Sequence, residues 1–131
     1  MSENVEAIRR GYDAWNRGDF GAVLELLDPE IEWILPEGGL NAGAVHGHEQ
    51  VRAFMESYFD SFEYFRMEPE RFIEATDQIV VFLRSPARGR GSGVEVEVRP
   101  AHVWRMRGGK AVRVEVFPER ERALATAGIS E

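Results

Sequence analysis

Apolar residues recur along this chain with two different periods, and the change from one to the other divides it. Val5, Ile8, Tyr12 and Trp15 fall at i, i+3, i+7 and i+10, one stripe of a helix. Ser2 can cap that helix, and Glu3 and Glu6 suit the positive end of its dipole. Asn16-Arg17-Gly18 stops it, since Gly18 can take a left-handed exit. Asp19 then caps a short second helix carrying Phe20, Val23, Leu24 and Leu27, which Asp28-Pro29 ends. A third helix is the clearest. Val51, Phe54, Met55, Tyr58, Phe59 and Phe62 stand at i, i+3, i+4, i+7, i+8 and i+11, a broad apolar face that begins after Gly47 or His48.

Between the second and third helices, residues 30–35 read as a strand. An irregular loop follows from Pro36 through Gly38-Gly39 to His46-Gly47, a segment type that often borders a site. After residue 65 the pattern shortens towards a period of two. Residues 65–75 are an interrupted strand broken at Pro69, and Thr76-Asp77-Gln78 is a turn. Residues 79–83 are a strand apolar on both faces, and 85–93 a turn rich in Gly and Arg. Residues 94–107 form a long alternating strand, Gly108-Gly109 a tight hairpin turn, and 110–117 the last strand. Pro118 opens a short closing helix that Gly128 ends. The pattern predicts one α+β domain over residues 1–131. Three N-terminal helices pack on a curved, mostly antiparallel sheet around an apolar pocket, and a short C-terminal helix follows.

The run at 79–83 carries a further expectation. An antiparallel sheet with one solvated face alternates apolar and polar residues. This strand does not, so both of its faces are covered. Helices account for one. A second subunit is the simplest cover for the other, which predicts a homodimer through the outer sheet face.

Charge and composition narrow the partners. With 23 acidic and 16 basic residues the net charge is −7, which disfavours nucleic acid. Arg84, Arg88, Arg90, Arg99, Arg105, Arg107 and Arg113 crowd the second half, as expected of solvated sheet faces and turns. The absence of cysteine removes disulfides, thiolate nucleophiles and Cys-ligated metals. No stretch approaches the ~20 apolar residues of a membrane span. The N-terminus is acidic and polar, unlike a signal peptide, so a cytoplasmic protein is expected. His46, His48 and His102 have no metal-ligand spacing, so neither metal nor cofactor is expected. Residues 88–93 lie between strands rather than opening a helix, which weakens a phosphate-cradle reading.

Three stretches carry a resemblance. They are Tyr12-Asp13-Ala14-Trp15-Asn16-Arg17-Gly18-Asp19 with Leu26-Leu27-Asp28-Pro29-Glu30-Ile31-Glu32-Trp33; Gly47-His48-Glu49-Gln50-Val51-Arg52-Ala53-Phe54; and Ala101-His102-Val103-Trp104 leading to Gly108-Gly109-Lys110-Ala111-Val112. Nearly the whole chain resembles the SnoaL-like and ketosteroid-isomerase-like proteins of the nuclear transport factor 2-like superfamily. The resemblance implies a cone-shaped α+β barrel whose curved sheet wraps the third helix over a pocket. It also implies a range of functions: isomerisation, cyclisation, epoxide opening, dehydration, binding without catalysis, or protein adaptation.

Carried over position by position, the family's catalytic groups are missing. The isomerase base falls at Leu35 and the isomerase tyrosine at Gly11, beside Tyr12. The oxyanion-hole acid falls at Ala101, and the last-strand carboxylate of hydrolases and cyclases near Val116. The epoxide hydrolase Arg and Asp fall near Leu83 and Ser85. Loss of a general base costs about 10²–10⁴-fold in rate, so isomerisation by that route is not expected.

The polar groups left near the pocket depend on strand register. If Ala101 and Val103 face inward, so does Arg105, and His102, Trp104 and Met106 face out. Val114 and Val116 facing inward put Arg113, Glu115 and Phe117 outside. A bulge near Pro100 would shift the register before it. In that arrangement His102 is either a base paired with Glu115 or a histidine satisfied at a dimer interface. Tyr12 can meet a ligand or pack at the rim, and His46 sits in the loop at the mouth. The candidate catalytic residues are thus Tyr12, His46, His102 and Arg105. The expected pocket wall is Tyr12, Trp15, Trp33, Leu35, Phe54, Tyr58, Phe62, Leu83, Ser85, Ala101, Val103, Val114 and Val116. Three functions fit: a binder of a small apolar molecule; an isomerase, cyclase, hydrolase or dehydratase acting on a steroid-, polyketide- or terpenoid-like substrate with non-standard residues; or a protein-interaction module using the sheet face.

Overall fold

The computed structural model describes residues 2–35 and 43–129. Helices α1 (Glu3–Asn16) and α2 (Phe20–Leu26) lead into strand β1 (Leu27–Leu35). β2 (Gly43–His46) is followed by α3 (Gly47–Ser61), β3 (Phe62–Phe65), β4 (Glu68–Glu74) and the long β5 (Gln78–Gly89). β6 (Glu95–Val98), β7 (Ala101–Arg107), β8 (Lys110–Phe117) and α4 (Arg120–Ala127) complete the chain. The fold is α+β, with a mixed and mostly antiparallel sheet: only β1 and β8 run parallel. The sheet runs β2-β1-β8-β7-β5, and β5 is flanked along its length by β7 and then β6 on one edge, and by β4 and then β3 on the other.

The capping expected at the N-terminus is present. The Ser2 hydroxyl accepts from Val5 N–H, and Asp19 accepts from Ala22 N–H. Gly18 makes the corner between the two helices at φ 75°, and a side chain there would also meet the Phe59 ring. Gly108 and Gly109 both take positive φ and close the β7–β8 hairpin in the turn that such a pair favours.

Four strand readings are corrected. The strand break in 65–75 lies at Arg66-Met67 rather than at Pro69, where the chain only bulges. Asn16 explains the break: its side-chain amide donates to Met67 O and accepts from Met67 N–H, pinning that corner to the end of α1. The expected turn at 85–93 is mostly strand, because Ser85, Pro86, Ala87 and Arg88 find partners in β6 on one edge and, from Ala87 on, β3 on the other. The expected strand 94–107 is two strands, parted at Arg99-Pro100, where the proline has no N–H to give the ladder. The loop expected from Pro36 to Gly47 contains strand β2, while residues 36–42 lie outside the described residues.

Each sheet face has its own apolar cluster. Ile79, Val81, Leu83, Trp104, Met106 and Val114 face the helices, together with Ile31 and Trp33. Val80, Ala101, Val103 and Phe117 face the other way and are covered by Ala123 of α4. The double-sided strand at 79–83 is therefore covered on its outer face by the chain's own C-terminal helix, and that run alone gives no argument for a second subunit. No helix among the described residues is long and apolar enough to cross a membrane.

Candidate functional site

The register of β7 decides what the helix-side face presents. Ala101 pairs with Phe82 and Val103 with Val80, both on the α4 side, so Ala101, Val103 and Arg105 face outward. His102, Trp104 and Met106 face the helices. This reverses the expected orientation, and volume gives the reason. The wide space beneath the helices takes the large residues, while small Ala101 and Val103 let α4 approach closely. Arg105 is exposed on the outer face, and Glu115 shares that face, where Arg113 reaches it. His102 therefore has no pairing with Glu115.

Between the helix-side face and α3 lies a cavity of about 610 Å³. Eight of the expected wall residues surround it: Trp15, Trp33, Leu35, Phe54, Tyr58, Phe62, Ser85 and Val116. Tyr12, Leu83 and Val114 are buried in the helix-side core but do not line it, and Ala101 and Val103 lie across the sheet. The wall also includes Ser61, Met67, Val98, Arg99, Pro100, His102 and Pro118. Most of these sit at strand breaks or helix ends, where periodicity says nothing about direction. The aromatic lining is continuous: Trp15 meets Trp33 edge to face at 5.7 Å between ring centres, and Tyr58 lies 5.0 Å from Phe62. No carboxylate is present among the described wall residues. Arg99, at the mouth, is held by Glu70 at 3.0 Å.

One polar chain reaches this wall. The indole N–H of Trp104 donates to the Tyr12 hydroxyl oxygen at 2.9 Å. That hydroxyl lies 2.7 Å from His102 Nδ1. An indole can only donate, so the Tyr12 oxygen accepts there; the buried phenol proton has no acceptor among the described residues other than Nδ1, which selects the tautomer in which Nδ1 accepts it. The imidazole proton then sits on Nε2, which has no partner among the described residues. Burial pushes the His102 pKa down to about 3, so the ring is neutral at ordinary pH. Burial also raises the Tyr12 pKa, partly offset by the bond from Trp104, so the phenol stays protonated. Among the described residues, the indole N–H groups of Trp15 and Trp33 are buried without partners.

The remaining candidates stand elsewhere. His46 ends β2, is exposed, and lies 3.4 Å from Glu30; it does not line the cavity. Gly11, where the isomerase tyrosine was matched, faces Leu26 of α2, and a side chain there would clash at 2.9 Å. Its neighbour Tyr12 is the residue aimed at the sheet. Among the described residues no cluster of three or more His, Cys, Asp or Glu is placed to hold a metal ion.

The comparisons with known proteins agree with this architecture. A solved nuclear transport factor 2-like protein of unknown function from Burkholderia pseudomallei is 32% identical, with 95% of this chain and 97% of that one covered and a TM-score of 0.83. TerC, co-crystallised with polyporic acid, is 30% identical over 98% of both chains, with a TM-score of 0.81. A SnoaL-like protein from Jannaschia, provisionally named a polyketide cyclase, shares the fold at 24% identity, covering 95% of this chain and 90% of its own, with a TM-score of 0.78. No curated protein matches. The SnoaL-like domain model matches residues 8–114, most of the chain, and the chain belongs to that SnoaL-like family.

Proposed function

We propose that this protein binds a small, largely apolar molecule in the cavity between α3 and the sheet, without carboxylate acid–base catalysis. The observation that carries the proposal is the cavity of about 610 Å³ with an aromatic and aliphatic wall and no carboxylate among its described residues. Ligand pockets typically measure about 300–1,000 Å³ and are mostly apolar with a few placed polar groups. The 30% identical TerC was crystallised with a small molecule, which supports the same use here. Trp15 and Trp33 stand in the wall, so intrinsic fluorescence reports occupancy. A panel of steroids, terpenoids and polyketide fragments is expected to quench it saturably, with native mass spectrometry giving one ligand per chain. Failure of every apolar ligand to bind removes the proposal.

A second reading is catalysis on a steroid-, polyketide- or terpenoid-like ketone. The observation that favours it is the Trp104–Tyr12–His102 chain, which joins two candidate residues at 2.7 Å, one of them, His102, in the cavity wall. A neutral imidazole N–H can stabilise a developing oxyanion, with cavity water taking the α proton because no described wall residue is a carboxylate. Deuterium entering the α position of a bound ketone in D₂O, and lost in His102→Phe, supports this reading; no exchange leaves binding alone.

The protein's partner in assembly is proposed to be a second copy, meeting the part of the sheet that α4 leaves uncovered. There a groove of about 620 Å³ is lined by Tyr64, Pro86, Arg88 and Val96, with Tyr64 and Val96 about half exposed. Light scattering giving a monomer at all concentrations removes this part of the proposal.

A further inference from the structure

Resting on the reading of the cavity as a site for an apolar ligand, we infer that this ligand carries a carbonyl-type oxygen that accepts a hydrogen bond from His102 Nε2, and that Tyr12 and Trp104 fix the imidazole as that donor.

The argument starts from what the wall leaves unmet. A buried polar group without a partner is costly, and proteins rarely keep one without a use. Ser85 already donates to Arg66 O, and Ser61 to Ser57 O. Arg99 is engaged by Glu70 and Glu97. Among the described wall residues, the groups left without a partner are the Nε2 of His102, the sealed indole N–H groups of Trp15 and Trp33, and the hydroxyl of Tyr58, which can donate or accept. With the two indoles sealed, His102 Nε2 is the one-way donor open to the cavity. A molecule that meets Nε2 with a hydrogen-bond donor gains nothing there. One that meets it with an acceptor oxygen supplies the missing partner.

The tautomer makes the selection one-sided. A free imidazole can offer either a proton or a lone pair at Nε2. Here Nδ1 is held as an acceptor by the Tyr12 hydroxyl, because the buried phenol proton has no other acceptor among the described residues and the opposite tautomer would orphan it. Nε2 is left only as a donor. Tyr12 is 1% exposed and Trp104 2%, so neither rotates to release the ring without disturbing the core. The Trp33 ring packs edge to face on His102 at 6.3 Å and on Trp104 at 5.9 Å, which holds the imidazole plane. His102 is thus a specificity residue, and Tyr12 and Trp104 are positioning residues acting through it.

The test uses ligand pairs that differ only in the oxygen: tetralin and 1-tetralone, and the larger androstane and androstan-3-one. Affinity is read by tryptophan fluorescence, and the bound carbonyl by its infrared stretching frequency with a ¹³C=O label. In the wild type the ketone is expected to bind about tenfold tighter than its hydrocarbon, the size of one net hydrogen bond. Its carbonyl stretch is expected at lower frequency than in an apolar solvent. His102→Phe is expected to abolish both the preference and the frequency shift while the hydrocarbon still binds, which also shows that the cavity survives. His102→Gln, which can return an N–H near the Nε2 position, is expected to restore part of both. Tyr12→Phe is expected to move the carbonyl frequency part of the way back, an effect that loss of packing alone does not produce. Equal affinity for ketone and hydrocarbon in the wild type, or a preference and a shift that persist in His102→Phe, overturn the inference and leave the apolar site standing. Failure of all four compounds to bind overturns the reading beneath it.

Discussion

The two faces of the sheet solve the same problem differently. On the outer face, small residues at Val80, Ala101 and Val103 let α4 lie directly on the strands through Ala123, and the space is filled. Beyond the helix that face turns ionic. Arg84 bridges Glu68 and Glu97, Arg99 bridges Glu97 and Glu70, and Arg120 joins Glu70 while lying over the Phe82 ring. On the inner face the residues are large and aromatic, yet they do not meet α3 everywhere, and a hollow persists among them. Apolar burial drives both arrangements. The difference lies in whether the covering element can come close enough to exclude space, which small side chains allow and a ring of tryptophans does not.

The sharpest way to break this comparison is at Ala123, which is fully buried between α4 and the sheet. Ala123→Asp places an unpaired carboxylate there, too short to reach solvent. The expected loss is about 3 kcal/mol or more by urea unfolding, since an uncompensated buried charge is among the costliest substitutions. A variant as stable as the wild type would mean that α4 does not cover that face.

The next effect belongs to the inner face and appears as pH dependence. His102 titrates near 6.5 in the unfolded chain and about 3 in the fold. A depressed histidine pKa adds stability that is fully present above the unfolded value and is lost as pH falls towards the folded one. Between pH 6.5 and about 3, this one group lowers unfolding free energy by up to about 1.4 kcal/mol per pH unit. Comparing wild type with His102→Phe isolates the slope, because the carboxylates titrate in both. Equal slopes would place the histidine in contact with water.

Tyr12→Phe gives a smaller loss. It removes one oxygen and leaves both the Trp104 N–H and His102 Nδ1 without a partner, a cost of about 1–3 kcal/mol. A double-mutant cycle with His102→Phe is expected to show strong coupling, since the two groups share one hydrogen bond. Additive losses would mean that the chain of hydrogen bonds does not form.

These residues also show how far the sequence was legible. The stripe through Val5, Ile8, Tyr12 and Trp15 placed α1 and its buried face, and the caps at Ser2 and Asp19 lie where their chemistry put them. The Gly108-Gly109 turn and the aromatic wall of α3 were equally readable, because turn chemistry and helical period act locally. The direction of β7 was not. A period of two gives two sets of residues but not which set faces in, and the choice between His102 and Val103 was made by an element twenty residues away, α4. The cover on the outer face was missed for the same reason: the closing helix was visible, but where it docks depends on residues far apart in the chain. The Tyr12–His102 pair spans 90 positions, and only its two ends as polar residues were open to suspicion.

The smallest expected effect lies in the outer ionic network, and it sharpens the contrast with the relay inside. Glu70 accepts from both Arg120 and Arg99, and those two guanidinium groups hold its carboxyl below the usual range. A depressed carboxyl pKa gives stability above the ordinary value that is lost as pH falls through it, the same sign as for His102 but in a more acidic window. Water and salt screen these charges, whereas the Tyr12–His102 bond is sealed from both. Glu70→Gln is therefore expected to lower the melting temperature less than Tyr12→Phe, and its effect should shrink as sodium chloride is raised while that of Tyr12→Phe stays constant. If both variants lose their effect in salt, the inner pair is reached by solvent, and the distinction between a filled, charged face and a hollow one with a sealed pair beneath it fails.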